Sequence, residues 1–75
     1  MPVANSLPTV HVSVTEYLQL SPEMRRWIAH RMDCVPAHAR PPLINEADSR
    51  VWRRIKSTAN GHSEVIIRVY QEKPA

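Results

Sequence analysis

The stretch NEADSRVWRRIKSTAN, Asn45 to Asn60, constrains the fold more than any other part of the chain. Asn45 is a helix N-cap residue, and Glu46 and Asp48 fall in the first turn, where the helix dipole favours negative charge. Ala47, Val51, Trp52, Ile55 and Ala59 recur at close to the helical period. Arg50, Arg53, Arg54 and Lys56 flank that stripe. The spacing predicts a helix that buries a Trp and aliphatics on one side and carries concentrated positive charge on the rest. Asn60-Gly61 closes it, because Gly adopts the left-handed cap conformation without strain.

A second helix is predicted from about Pro22 to Asp33. Ser21 caps it, Pro22 sits where a missing N–H is harmless, and Glu23 meets the dipole. Met24, Trp27, Ile28 and Met32 share one face, with Arg25, Arg26, Ala29, His30 and Asp33 mostly away from it. CVPAHARPPLI, Cys34 to Ile44, holds three prolines and cannot be a regular helix. It reads as an extended connection, with Leu43 and Ile44 tucked into the core.

Two strands frame these helices. Val10, Val12 and Val14 alternate with His11, Ser13 and Thr15, which predicts a half-buried strand over Thr9 to Thr15. EVIIRVYQ, Glu64 to Gln71, is the other, with Val65, Ile67 and Val69 on one face. The expected architecture is α+β: a small single domain over residues 1–75, strand-helix-helix-strand, with two amphipathic basic helices packed on a small antiparallel sheet. Residues 1–8 and 72–75 are expected to be flexible ends. Two strands leave an open edge, which a homodimer continuing the sheet would cover.

Seventy-five residues make a core of marginal size, and a single Cys excludes an internal disulfide. The lone Cys fits a reducing cytoplasm. No apolar run approaches the ~20 residues needed to cross a bilayer, and MPVANSLPTV lacks the basic and apolar regions of a signal peptide. A cytoplasmic protein that does not engage a membrane is expected. The net charge is +3, but eight of the ten Lys and Arg lie between Arg25 and Lys56, opposed there only by Asp33, Glu46 and Asp48. Such a block attracts nucleic acid, anionic lipid or an acidic protein surface.

The candidate binding residues are therefore Arg25, Arg26, Arg31, Arg50, Arg53, Arg54 and Lys56. Arg matches phosphate bidentately, and several on one face fix a protein to a nucleic-acid backbone. The competing reading pairs some of them with Glu23, Glu46 and Asp48 at helical spacing. Trp27 and Trp52 sit on apolar stripes and are expected to pack in the core. The segment VTEYLQLSPEMRRWIAHR, about residues 14–31, resembles the start of small excisionase and MerR-type helix-turn-helix DNA-binding domains. That resemblance implies a short helix, a turn and a recognition helix from Pro22 on which Arg25 and Arg26 face DNA.

His30, Cys34 and His38 are spaced four apart, but a structural zinc site wants four ligands, and His11, His62 or Asp33 would have to complete it. An exposed histidine and a small buried cysteine are the simpler expectation, with no metal or cofactor. Gly61 is the only glycine, so no phosphate loop exists, and no nucleophile–base pair is identifiable by spacing. The chain is expected to be a non-enzymatic binding protein, a nucleic-acid-binding regulatory or accessory factor. The alternative is a protein-binding inhibitor or adaptor acting on a host complex. Small phage and mobile-element proteins, anti-CRISPR proteins among them, share this size and charge.

Overall fold

The computed structural model describes residues 6–73. Chain order is β1 (Thr9–Ser13), α1 (Val14–Gln19), α2 (Pro22–His30), β2 (Cys34–Pro36), α3 (Glu46–Ala59) and β3 (Glu64–Tyr70). The class is α+β. The sheet has three strands in the order β1-β3-β2 and is mixed, not antiparallel throughout. β3 runs parallel to β1, with Val10 beside Ile67 and Val12 beside Val69, and antiparallel to β2, with Val35 beside Val65. The extra strand explains the corrected direction. The chain reverses once before β2 and again through α3, so β3 returns in the sense of β1. β2 is three residues long and ends in a proline, so no alternation announces it.

The first strand stops at Ser13, two residues before the alternation does. Ser13 Oγ accepts from the Glu16 N–H at 3.1 Å and caps α1. Ser13-Val14-Thr15-Glu16 has the spacing of a helix start, and this local signal prevails over the valine pattern. The second helix also ends early, at His30 rather than Asp33. Asp33 N–H donates to Ile28 O and Met32 N–H to Ala29 O, the paired bonds that close a helix with a left-handed residue. Met32 and Asp33 both have positive φ, 52° and 63°, and Met32 is 87% exposed instead of sharing the apolar face.

Asn45 and Asp48 form a capping box at the start of α3, and Asn60 (φ 44°) with Gly61 (φ 94°) closes its end. Val10, Val12, Val35, Val65 and Ile67 give the sheet one apolar face. Met24 and Ile28 of α2 and Ala47, Val51, Trp52, Ile55 and Ala59 of α3 are buried with them in one core. Leu43 packs against that core, but Ile44 is 62% exposed. Its N–H is held by Asp48 at 2.8 Å, which fixes the chain at the rim.

Of the expected loose ends, residues 1–5 and 74–75 lie outside the described residues. Pro8 is tied to the sheet through its carbonyl, which accepts from Ile66 N–H at 2.9 Å, and the Glu72 carboxylate accepts from Thr15 Oγ1. The sheet edges are blunted. On β1 the His11 carbonyl is taken by Arg54 at 2.9 Å. On β2 the Asp33 carbonyl and the Ala37 N–H bond to β3's neighbourhood, so Cys34 and Pro36 look outward. Cys34 N–H is already bonded to Arg31 O at 3.0 Å, and Pro36 has no N–H to offer. No helix among the described residues is long and apolar enough to cross a membrane.

Candidate basic and aromatic surface

The two Trp-bearing helices meet edge to face. The Trp27 and Trp52 rings are 6.5 Å apart at 84°, an arrangement aromatic pairs favour. Trp52 is buried and Trp27 half-buried, so the second is less completely a core residue than its stripe suggests. Each Trp carries a cation one helical turn onward. The Arg31 guanidinium lies 4.6 Å from the Trp27 ring centre, and Lys56 Nζ lies 5.6 Å from that of Trp52. Such contacts attract a cation to the electron-rich ring face. Arg31 Nη1 also donates to Trp27 O at 3.0 Å, which fixes the guanidinium.

Two shallow concavities flank the Trp pair. One, of about 300 Å³, is lined by Glu23, Arg26, Trp27, His30, Arg31 and Pro42. The other, of about 510 Å³, is lined by Arg40, Leu43, Ser49, Trp52, Arg53 and Lys56. The connection at residues 40–43 contributes to both, so they form one face. Of the seven candidate residues, Arg26, Arg31, Arg53 and Lys56 belong to it. Arg40 joins them; the sequence candidates omit it because it lies between prolines, off both helices.

The other three candidates sit elsewhere. Arg25 turns toward α1, donating to Leu20 O at 2.6 Å and Leu18 O at 3.3 Å, and so closes that helix's free carbonyl end. Arg54 forms a two-pronged pair with Glu16, the only salt bridge among the described residues. The hydrogen bond from Arg54 holds the Glu16 carboxyl below its ordinary range, with the charges of Arg54 and Arg50 adding to it against the opposing effect of burial. Arg50 is exposed on that same side. Arg25 and Arg54 are therefore structural residues in this fold.

The helical pairing of arginines with Glu46 and Asp48 is not what neutralises them. Asp48 is fully buried and accepts from the N–H groups of Ser21, Ile44 and Asn45 at 2.9, 2.8 and 3.2 Å. Glu23 is the one carboxylate lining the basic face, and it makes no salt bridge among the described residues. Arg26, Arg31, Arg40, Arg53 and Lys56 thus present positive charge without a salt bridge among the described residues.

His30 belongs to this face, Cys34 to β2 and His38 to the connection. Among the described residues no three His, Cys, Asp or Glu converge as metal ligands would. Burial, and then the neighbouring Glu64, push the Cys34 thiol above its ordinary value and away from the reactive thiolate. No protein-family model, curated protein or solved structure matches this chain.

Proposed function

We propose that this protein is a non-enzymatic nucleic-acid-binding accessory or regulatory factor whose contact surface is the face around Trp27 and Trp52. One observation carries this reading: five cations surround the Trp pair without a salt-bridged carboxylate, and two of them are fixed over indole rings. A guanidinium already ordered by stacking loses less freedom when it engages a phosphate. Arg26, on the helix from Pro22 that resembles a recognition helix, belongs to this contact set, whereas Arg25 serves α1.

A salt titration tests it. Binding to oligonucleotides should weaken steeply as salt rises, with a slope of about −0.9 per duplex phosphate contacted and about −0.7 on single strands. Flat salt dependence or no binding would overturn the reading. An acidic or apolar protein partner is the second reading. Leu18 and Ile44 favour it: they are 66% and 62% exposed, and the residues next to them are tied together, the Asn45 side chain donating to Gln19 O. A partner seated there would be captured equally well after nuclease treatment.

A further inference from the structure

β3 is the central strand, and successive side chains along it point to opposite faces of the sheet. Val65 and Ile67 are buried in the core shared with the helices. Glu64, Ile66 and Arg68 therefore stand on the other face. Thr9 and Cys34 flank Ile66 there in register, one from each neighbouring strand. Those three are half-buried, whereas Glu64 and Arg68 are exposed. The open face is thus a short uncharged row with one charge of each sign two residues to either side.

Glu64 and Arg68 cannot neutralise each other. Four residues of extended strand hold their Cα atoms about 13 Å apart, and neither makes a salt bridge among the described residues. Their neighbours in register are Pro36 and His11, which supply no opposite charge. After burial, the Glu64 carboxylate is the largest influence raising the Cys34 thiol, which sets that carboxylate over this face.

Opposite charges placed evenly about an apolar centre complement a second copy of themselves. Two such sheets meet face to face about a two-fold axis in two aligned ways. With the axis along β3, Glu64 lies over the partner's Glu64 and Arg68 over the partner's Arg68, and both contacts repel. With the axis across the strands, along the row of Thr9, Ile66 and Cys34, Ile66 meets the partner's Ile66 and each Glu64 meets the partner's Arg68. Aligned sheets cross at about 30°, which shifts the charged ends by only about 3 Å. A phosphate backbone gains from Arg68 but is repelled by Glu64, so this face does not suit nucleic acid.

We propose that the open face of the sheet is a homodimer interface, with β3 packed antiparallel over the partner's β3 and reciprocal Glu64–Arg68 pairs on either side of Ile66. The surface is distinct from the basic face and does not rest on the nucleic-acid reading. Three strands and the seven residues of β3 give a face of roughly 14 by 23 Å, well below the ~800 Å² per partner of a standard interface. The dimer is therefore weak, in the micromolar to millimolar range.

Sedimentation equilibrium of the full chain across that range tests it. The average mass should rise from 8.6 kDa toward twice that value. Glu64→Arg and Arg68→Glu each set like charges against each other and should weaken the dimer at least about tenfold. The double variant carrying both reversals opposes unlike charges again and should restore it. Both positions are exposed, so the variants should fold, which circular dichroism checks. The same axis sets Cys34 opposite the partner's Cys34. A bismaleimide short enough to match the ~10 Å spacing of packed sheets should join two chains in the wild type and the double variant but not in the single ones. A chain that stays monomeric at millimolar concentration would overturn the interface. So would a dimer that the single reversals leave intact, or one that the double reversal fails to restore.

Discussion

The backbone N–H of Ser21 donates to the Asp48 carboxylate at 2.9 Å, across 27 positions in the chain. Ser21 is the N-cap of α2 and Asp48 lies in the first turn of α3. One buried carboxylate thus joins the positive ends of both helices. Its charge suits the two dipoles, and its second oxygen satisfies the N–H groups of Ile44 and Asn45, which enter α3. The orientation of the two Trp-bearing helices, and with it the basic face, depends on this tie.

Asp48→Asn should destabilise the protein by about 2–3 kcal/mol, the scale of a buried hydrogen bond to a charged group. The amide would also place donors against donors. Burial alone would raise the Asp48 carboxyl, but hydrogen bonds from Ser21, Ile44 and Asn45 outweigh it and hold the group below its ordinary 3.8. Its stabilisation is therefore complete above that value and lost as pH falls through the lower folded one. Urea melts should show a large gap between wild type and variant at neutral pH that closes in acid. A gap that persists unchanged in acid would contradict the ionised tie.

Trp52 is 7% exposed and belongs to the same buried core as Val51, Ile55 and the sheet valines. Trp52→Ala should cost about 3–5 kcal/mol, the range for truncating a large core aromatic. It also removes the ring that Trp27 meets edge to face. Thermal melts followed by far-UV circular dichroism should show a strongly lowered transition, and near-wild-type stability would move Trp52 out of the core.

Much of the fold was legible wherever one local signal stood alone. Asn45, the apolar stripe and Asn60-Gly61 defined α3, Ser21-Pro22-Glu23 opened α2, and the valine faces identified β1 and β3. The rest failed where two signals overlapped or none existed. The capping spacing of Ser13 to Glu16 was hidden inside a longer valine alternation, and β2 is too short to show a period. At the site, the sequence located the charge but not its direction. Arg54 finds Glu16 at a separation of 38 residues and Arg25 reaches α1's carbonyls. Those partners are set by packing, and no spacing within a helix announces them. Arg40 was missed because it comes to the face on an irregular segment.

Met32 occupies the left-handed position that closes α2, where Gly is usual. A side chain in this conformation costs roughly 1–2 kcal/mol, while Gly loses about 0.5–1 kcal/mol more entropy on folding than Ala. Met32→Gly should therefore raise stability by up to about 1 kcal/mol, since the exposed side chain forfeits no packing. Met32→Ala keeps the Cβ and should gain nothing. Equal melting temperatures for the two variants would count against the left-handed turn.

The adjacent Arg53 and Arg54 should separate binding from folding. Arg53 is exposed and lines the larger concavity beside Trp52 and Lys56. Arg54 holds Glu16 and the His11 carbonyl, so it fastens α1 and the β1 edge to α3. Arg53→Ala should change stability by less than about 0.5 kcal/mol, weaken nucleic-acid binding and shallow the salt slope by about one contact. Arg54→Ala should leave that slope intact and lower stability by about 1 kcal/mol, a modest figure because the guanidinium is 38% exposed and water screens the pair. Its stabilising effect should be fully present above the ordinary Glu16 value of 4.5 and fade as acid protonates the lowered carboxyl. Denaturant melts and salt titrations on the two single variants measure both quantities. If Arg54→Ala lost binding with its stability unchanged, the contact surface would have to be redrawn on the α1 side of α3, around Arg50 and Arg54.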